Sequence, residues 1–335
     1  MSSTSARSVD RVLVTGAAGY VGSVLVRRLL AAGISVVGVD RLDFGSHAVD
    51  DLTSRPDFDL LIGDVRDVGL WEPALAKSDA VIHLAAIVGD PACKQQPDEA
   101  VSVNVNGSLA LFQYAVEASR PQRFVFASTC SNYGRHPDFE YCDEGSALRP
   151  LSLYAETKVQ VEETVLGHDG GSAIVPTCLR FATAFGLSPR MRFDLTVNEF
   201  AREMFDGRTL EVYGEQFWRP YCHTEDIADA CLAALRAPAS AVANRAFNIG
   251  STANNHTKAE IVGLLQERLP KAPVQYVRKD DDPRSYKVDC TRAQDELGFR
   301  PQRTVADGID EILDALANTR FAGIPDARLR NTVAA

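Results

Sequence analysis

The sequence predicts an α/β protein built on a doubly wound, mostly parallel sheet, with a smaller C-terminal lobe. Three observations carry this. Through the first half, short runs rich in valine and isoleucine alternate with helical stretches, the pattern of buried parallel strands joined by crossover helices. A glycine-rich turn follows the first such run directly. After about residue 180 the alternation loosens, and 335 residues suffice for one large domain and a smaller one.

Taken in order, residues 11–15, 36–40, 60–63, 80–84, 123–128 and 177–181 read as strands. Between the first two, Val21, Leu25, Leu29 and Leu30 recur at helical spacing before Gly33, so the opening unit reads β-α-β. The stretch 189–221, rich in Arg, Phe, Tyr and Trp, reads as loops and helices covering a ligand, and 246–249 reads as a return to the large sheet. Residues 10–180, with a sheet return near 221–250, then form one domain, and 181–220 with 251–330 form the other. The first nine residues and the C-terminal tail read as disordered.

Composition removes several classes of function. With 45 acidic against 35 basic residues and a net charge of -10, the chain repels a polyanion, and no basic run offsets this, so no nucleic-acid partner is expected. Seven cysteines without a Cys-x-x-Cys pair fit reduced thiols in a cytoplasmic protein, with neither a metal site nor a disulfide framework. No apolar run approaches the length of a membrane span.

The glycine-rich turn is Gly16-Ala17-Ala18-Gly19-Tyr20-Val21-Gly22. Glycines permit a tight turn and close backbone approach, and the helix behind them offers its amides to a pyrophosphate, so the loop suits a dinucleotide. Asp40 ends the second strand, where a carboxylate accepts ribose hydroxyls and repels a 2′-phosphate, which favours NAD over NADP. Arg41 beside it is the competing signal, because an arginine there can pair with that phosphate.

Tyr154 and Lys158 lie four residues apart, on one helix face one turn apart. A phenol so placed can do acid/base work, since a nearby ammonium favours the phenolate. Ahead of them, Ser128-Thr129-Cys130-Ser131 leaves the end of a strand, the edge at which open α/β sheets bind ligands.

With these residues in place, the chain resembles the extended short-chain dehydrogenase/reductases, the family of nucleotide-sugar epimerases and dehydratases, over essentially its whole length. The resemblance rests on Gly16, Gly19 and Gly22, on Asp40, on Gly63-Asp64-Val65-Arg66-Asp67, on His83-Leu84-Ala85-Ala86, on Asn104-Val105-Asn106-Gly107, on Ser128-Thr129, on Tyr154 with Lys158, and on Arg180 and Arg219. It implies a Rossmann-type sheet holding NAD, a smaller substrate-binding lobe, a nucleotide-diphosphate sugar as substrate, and a homodimer.

The resemblance further implies that Asp64 and Val65 flank the adenine, that Leu84, Ala85 and Ala86 line the cofactor cleft with Tyr20, Val21, Asn104 and Ser128, and that Tyr154 exchanges the proton of the sugar hydroxyl. Lys158 would hold the nicotinamide ribose, Thr129 would hydrogen-bond the same sugar oxygen, and Arg219 and Arg284 would clamp the substrate diphosphate. Ser131, Thr183 and Arg192 fall in the substrate region.

Three reactions stay open: 4-epimerisation, 4,6-dehydration and 4-ketoreduction. Dehydratases of the family carry an Asp-Glu pair after the threonine, where this chain has Cys130 and Ser131. The usual dehydratase is therefore disfavoured, and an atypical one would have to use Cys130 as acid or base. A 4-epimerase is the preferred reading. A cofactor-binding sensor without catalysis is the alternative from outside enzymology, against which Thr129, Tyr154 and Lys158 stand together.

Overall fold

The computed structural model describes residues 9–118, 120, 123–137, 140–169, 173–278 and 285–331. Most of the expected disordered leader and tail therefore lies outside the described residues. The large sheet has seven parallel strands in the order Arg245–Ile249, Val175–Phe181, Arg123–Thr129, Ala80–His83, Arg11–Thr15, Ser35–Asp40, Phe58–Ile62. Helices cover both faces, so the strands are buried on both sides and read as unbroken apolar runs. Arg123–Thr129, the inner strand between Val175–Phe181 and Ala80–His83, is buried at every residue.

One face packs under Gly22–Ala31 and Thr224–Arg236, with Leu25, Leu29, Ile227 and Leu235 in its core. The other packs under Val68–Leu75, Ser108–Glu117 and Leu153–Leu166, around Trp71, Phe112, Phe124 and Val161. Chain direction across the sheet reverses beside Arg11–Thr15, which pairs with Ser35–Asp40 on one side and Ala80–His83 on the other. A crevice opens at the carboxyl ends of strands at such a switch point, and both the glycine loop and residues 84–86 emerge there.

The stretch 189–221, expected as loops and helices, is more regular than its sequence suggests. It contains the helix Thr196–Phe205 and the strands Leu210–Tyr213 and Trp218–His223. Those strands find partners far along the chain, Val274–Val277 for the first and Asn255–Thr257 with Thr183–Phe185 for the second. A third core beneath them gathers Phe185, Phe193, Phe200, Ile261 and Ile309.

Candidate active site

Glycine is required at two positions of the loop. Gly16 has φ +74°, and a Cβ there would meet the Ala85 amide nitrogen at 2.9 Å. A Cβ on Gly22 would meet the Gly16 carbonyl oxygen at 1.9 Å. Any side chain at either position would wedge the loop from the neighbouring strand end and close the crevice.

His83 locks the two walls together. Its Nε2 lies 2.7 Å from Ser108 Oγ, which donates its own proton to the Asn104 carbonyl, so Nε2 carries the ring proton and Nδ1 accepts from Thr15 Oγ1 at 2.6 Å. Thr15 in turn accepts the Ala85 N–H. Burial, with Lys158 nearby, pulls the His83 pKa down to about 3, so the ring stays neutral and acts as a strut.

The resulting cleft measures about 900 Å³. At one end Asp40 accepts the N–H groups of Ala18 and Leu42, at 3.0 and 2.8 Å. Burial raises its carboxyl above the ordinary value even so. Arg41 is held by the carboxylates of Asp43, Asp64 and Glu99. A ribose 2′-phosphate would have to displace these and approach Asp40, so the cleft suits NAD. Asp64 is held below the usual carboxylate range, chiefly by hydrogen bonds from Arg66. Trp71 Nε1 fixes the Val65 carbonyl at 2.8 Å.

At the other end, the helix Leu153–Leu166 is capped by Ser152, whose hydroxyl accepts the Ala155 N–H, and this sets Tyr154 and Lys158 at the cleft wall. Lys158 Nζ donates to the Ala127 carbonyl at 2.8 Å, 4.7 Å from the centre of the Phe126 ring and 5.9 Å from that of Tyr154. Burial pulls the lysine down to about 8. The anticipated lowering of the phenol is absent here: desolvation pushes Tyr154 above the ordinary phenol value, because the ammonium faces a backbone carbonyl. Thr129 Oγ1 accepts the Ser131 N–H at 3.1 Å, starting the turn Cys130–Tyr133.

Of the residues singled out from sequence, Gly16, Gly19, Tyr20, Val21, Gly22, Asp40, Arg41, Asp64, Val65, Leu84, Ala85, Ala86, Ser128, Thr129, Ser131, Tyr154, Lys158, Thr183, Arg192 and Arg219 all line this one cleft. Arg284 lies outside the described residues. Two do not reach it.

Cys130 points the opposite way from its neighbours, into the core, where Sγ donates to the Arg180 carbonyl at 3.1 Å and burial drives its pKa well above the ordinary thiol value. A thiol so buried and so reluctant to ionise has no path to a bound sugar, which corrects its assignment as an acid or base. Asn104 is also buried, and its side-chain amide brackets Ile87, accepting the N–H at 2.8 Å and donating to the carbonyl at 3.0 Å. It pins the cleft wall rather than forming it.

Behind the site, Arg180 pairs with Glu162, both almost wholly buried, with Arg180 Nε donating at 2.9 Å. Glu162 also accepts from Ser128 and Asn132, and Arg180 donates to Tyr133. This network fixes the strand end that presents Thr129. Sequence reasoning missed Glu162, along with Phe44, Asp90, Lys94, Asp194 and Tyr286 in the cleft wall. Only Asp90 carried a local signal, as an acid in a Gly-Asp-Pro turn before a helix. Arg192 is half-buried and tied by both nitrogens to Asp194, at 3.2 and 2.6 Å.

A family model for the NAD dependent epimerase/dehydratase family matches residues 12–250. The chain belongs to that family and is an NAD-dependent enzyme of the nucleotide-sugar epimerase and dehydratase class. It is 30% identical to a UDP-glucose 4-epimerase of Mycolicibacterium smegmatis over 317 residues, which cover 92% of this chain and 99% of the relative. It is 29% identical to UDP-glucuronic acid decarboxylase 4 of Arabidopsis thaliana, over 90% of this chain and 68% of that one.

Among solved structures, the UDP-glucose 4-epimerase of Thermus thermophilus in complex with NAD superposes with a TM-score of 0.79 at 27% identity, covering 92% of this chain and 99% of that chain. DesIV, a dTDP-glucose 4,6-dehydratase from Streptomyces venezuelae with NAD and TYD bound, does so with a TM-score of 0.82 at 28% identity, over 92% and 98%. No helix among the described residues is long and apolar enough to cross a membrane.

Proposed function

We propose that this enzyme is a nucleotide-diphosphate-sugar 4-epimerase. Residues 10–180 with the return strand hold the cofactor, and 181–220 with 251–330 hold the sugar nucleotide. The observation that carries the reading is that Thr129, Tyr154 and Lys158 share one cleft with Asp40 and the glycine loop, while the position after Thr129, where a dehydratase keeps an acid, is a thiol turned into the core.

Bound NAD would supply a reversible hydride acceptor for C4 of the sugar. Tyr154 would take the C4 hydroxyl proton as the phenolate and give it back as the phenol, so its own proton must first leave to solvent against the burial that raises its pKa. Thr129 has its oxygen occupied by the Ser131 N–H, so its proton is directed to the sugar oxygen. Lys158 holds the nicotinamide ribose from the floor of the cleft, and Arg219 meets the substrate diphosphate. Arg192 is already matched by Asp194, which supports a neutral hexose over a sugar acid.

The purified protein, incubated without added cofactor with a panel of nucleotide sugars, is expected to yield a new chromatographic peak of unchanged mass. Loss of a water would make it a dehydratase. Product only on adding a reduced nicotinamide and a keto sugar would make it a ketoreductase. Cys130→Ser is expected to retain turnover, since serine keeps the hydrogen bond to the Arg180 carbonyl; abolished turnover would return the thiol to the chemistry.

A further inference from the structure

Arg190 is 1% exposed, yet among the described residues no carboxylate lies within ion-pair distance of it and its Nε has no hydrogen-bond partner. Its guanidinium lies 3.8 Å from the centre of the Phe44 ring, and Nη2 donates to the Arg330 carbonyl at 3.1 Å. A buried charge without an ion pair is unfavourable, and burial, with Arg192 opposing and Asp194 and Asp40 only partly offsetting them, pulls its pKa down to about 10. Its surroundings carry both signs, Arg192 on one side against Asp194 and Asp40 on the other, and the Arg328 guanidinium packs over Gly45 nearby. The group nevertheless lines the cleft, beside Asp40 and Phe44.

The segment bearing Arg190 is fastened to the glycine loop. Tyr20 donates its hydroxyl to the Gly186 carbonyl at 2.6 Å, and Ser188 Oγ donates to the Tyr20 carbonyl at 2.7 Å. Two residues on, Arg190 lines the same cleft as that loop and interacts with Asp40, whose carboxylate holds the loop at Ala18. Asp40 already answers the ribose hydroxyls, and a neutral hydroxyl would not compensate a buried guanidinium.

We propose that Arg190 binds the phosphate that carries the cofactor's adenosine, adding a contact from the C-terminal half of the chain to those of the glycine loop. With Nη2 on the Arg330 carbonyl and the group held over the Phe44 ring, Nη1 is left to make a charged hydrogen bond to a phosphate oxygen. Cofactor retention then depends on residues from beyond the dinucleotide-binding half, which fits an enzyme that recycles its NAD without releasing it.

The test is binding, not turnover, so it is independent of which sugar the enzyme accepts. After the resident cofactor is removed and refolded secondary structure verified, affinities for adenosine and for ADP-ribose are measured calorimetrically on the wild type, Arg190→Met and Arg190→Lys. The ratio of the two affinities isolates the phosphates. In Arg190→Met this ratio is expected to fall at least about tenfold, the worth of a charged hydrogen bond, and in Arg190→Lys by less, with adenosine binding unchanged. An unchanged ratio in Arg190→Met, a fall in Arg190→Lys as large as in Arg190→Met, or equal losses for both ligands would overturn the proposal and leave Arg190 a packing residue.

Discussion

Replacing Tyr154 by Phe abolishes measurable turnover, a loss of about 10²–10⁴-fold or more, the range for removing a positioned acid/base. NAD content after purification should be unchanged, because the phenolic hydroxyl is not what retains the cofactor. Activity surviving in Tyr154→Phe would show that the proton travels another way. The same site predicts a pH effect. Lys158 is the ammonium beside Tyr154 and its pKa lies near 8, so kcat/KM should fall as pH rises through about 8, and Lys158→Met should lose that limb together with most of its activity. Stability runs in the opposite sense. Burial penalises the ammonium, and between about 8 and the ordinary value of 10.5 the unfolded chain binds the proton that the folded chain has released. This lysine's contribution to stability therefore improves as pH rises through that window and is least favourable below it, measurable as a rising denaturation midpoint relative to Lys158→Met.

Glu162→Leu is expected to destabilise the protein by about 3–5 kcal/mol, the cost of leaving one member of a buried pair without its partner. Arg180 would keep only the Tyr133 hydroxyl and the Glu144 carbonyl, at 2.8 and 3.3 Å, while Ser128 would lose its acceptor and Asn132 would keep only the Ser128 hydroxyl, at 3.1 Å. Because Ser128 precedes Thr129, turnover should fall as well. Denaturant unfolding would show a lower midpoint with an unchanged slope. The double variant Glu162→Leu with Arg180→Met should recover part of the loss, since it removes the orphaned charge. A single variant within about 1 kcal/mol of the wild type would reduce the pair to a minor contact.

Much of the scaffold was legible because it rests on local rules. The strand at 11–15 has the bounds expected of it, and the other large-sheet strands deviate by one or two residues at their ends, where hydrogen bonding to neighbours rather than side-chain pattern sets the limit. The run 60–63 is the clearest shift: the strand is Phe58–Ile62, because Phe58 is buried against the neighbouring strand while Gly63 already turns toward Asp64. The glycine loop was legible because its requirement is a steric one at specific positions, and Tyr154 with Lys158 because four residues make one helical turn.

By itself, then, the sequence determined the doubly wound sheet, the crevice at its switch point, and the phenol and lysine one turn apart, all consequences of periodicity and backbone sterics acting within a few residues. Only the tertiary structure decided which neighbours in Ser128-Thr129-Cys130-Ser131 face the cleft, since that depends on where the strand gives way to a turn and on Arg180 and Glu162 arriving from elsewhere in the chain. It likewise decided that Asn104 pins Ile87, that Asp194 neutralises Arg192, and that Arg190 lies beside Asp40, 150 positions earlier in the chain. Contacts over such separations follow from how whole layers pack, and a burial or a missing counter-charge exists only once those layers meet.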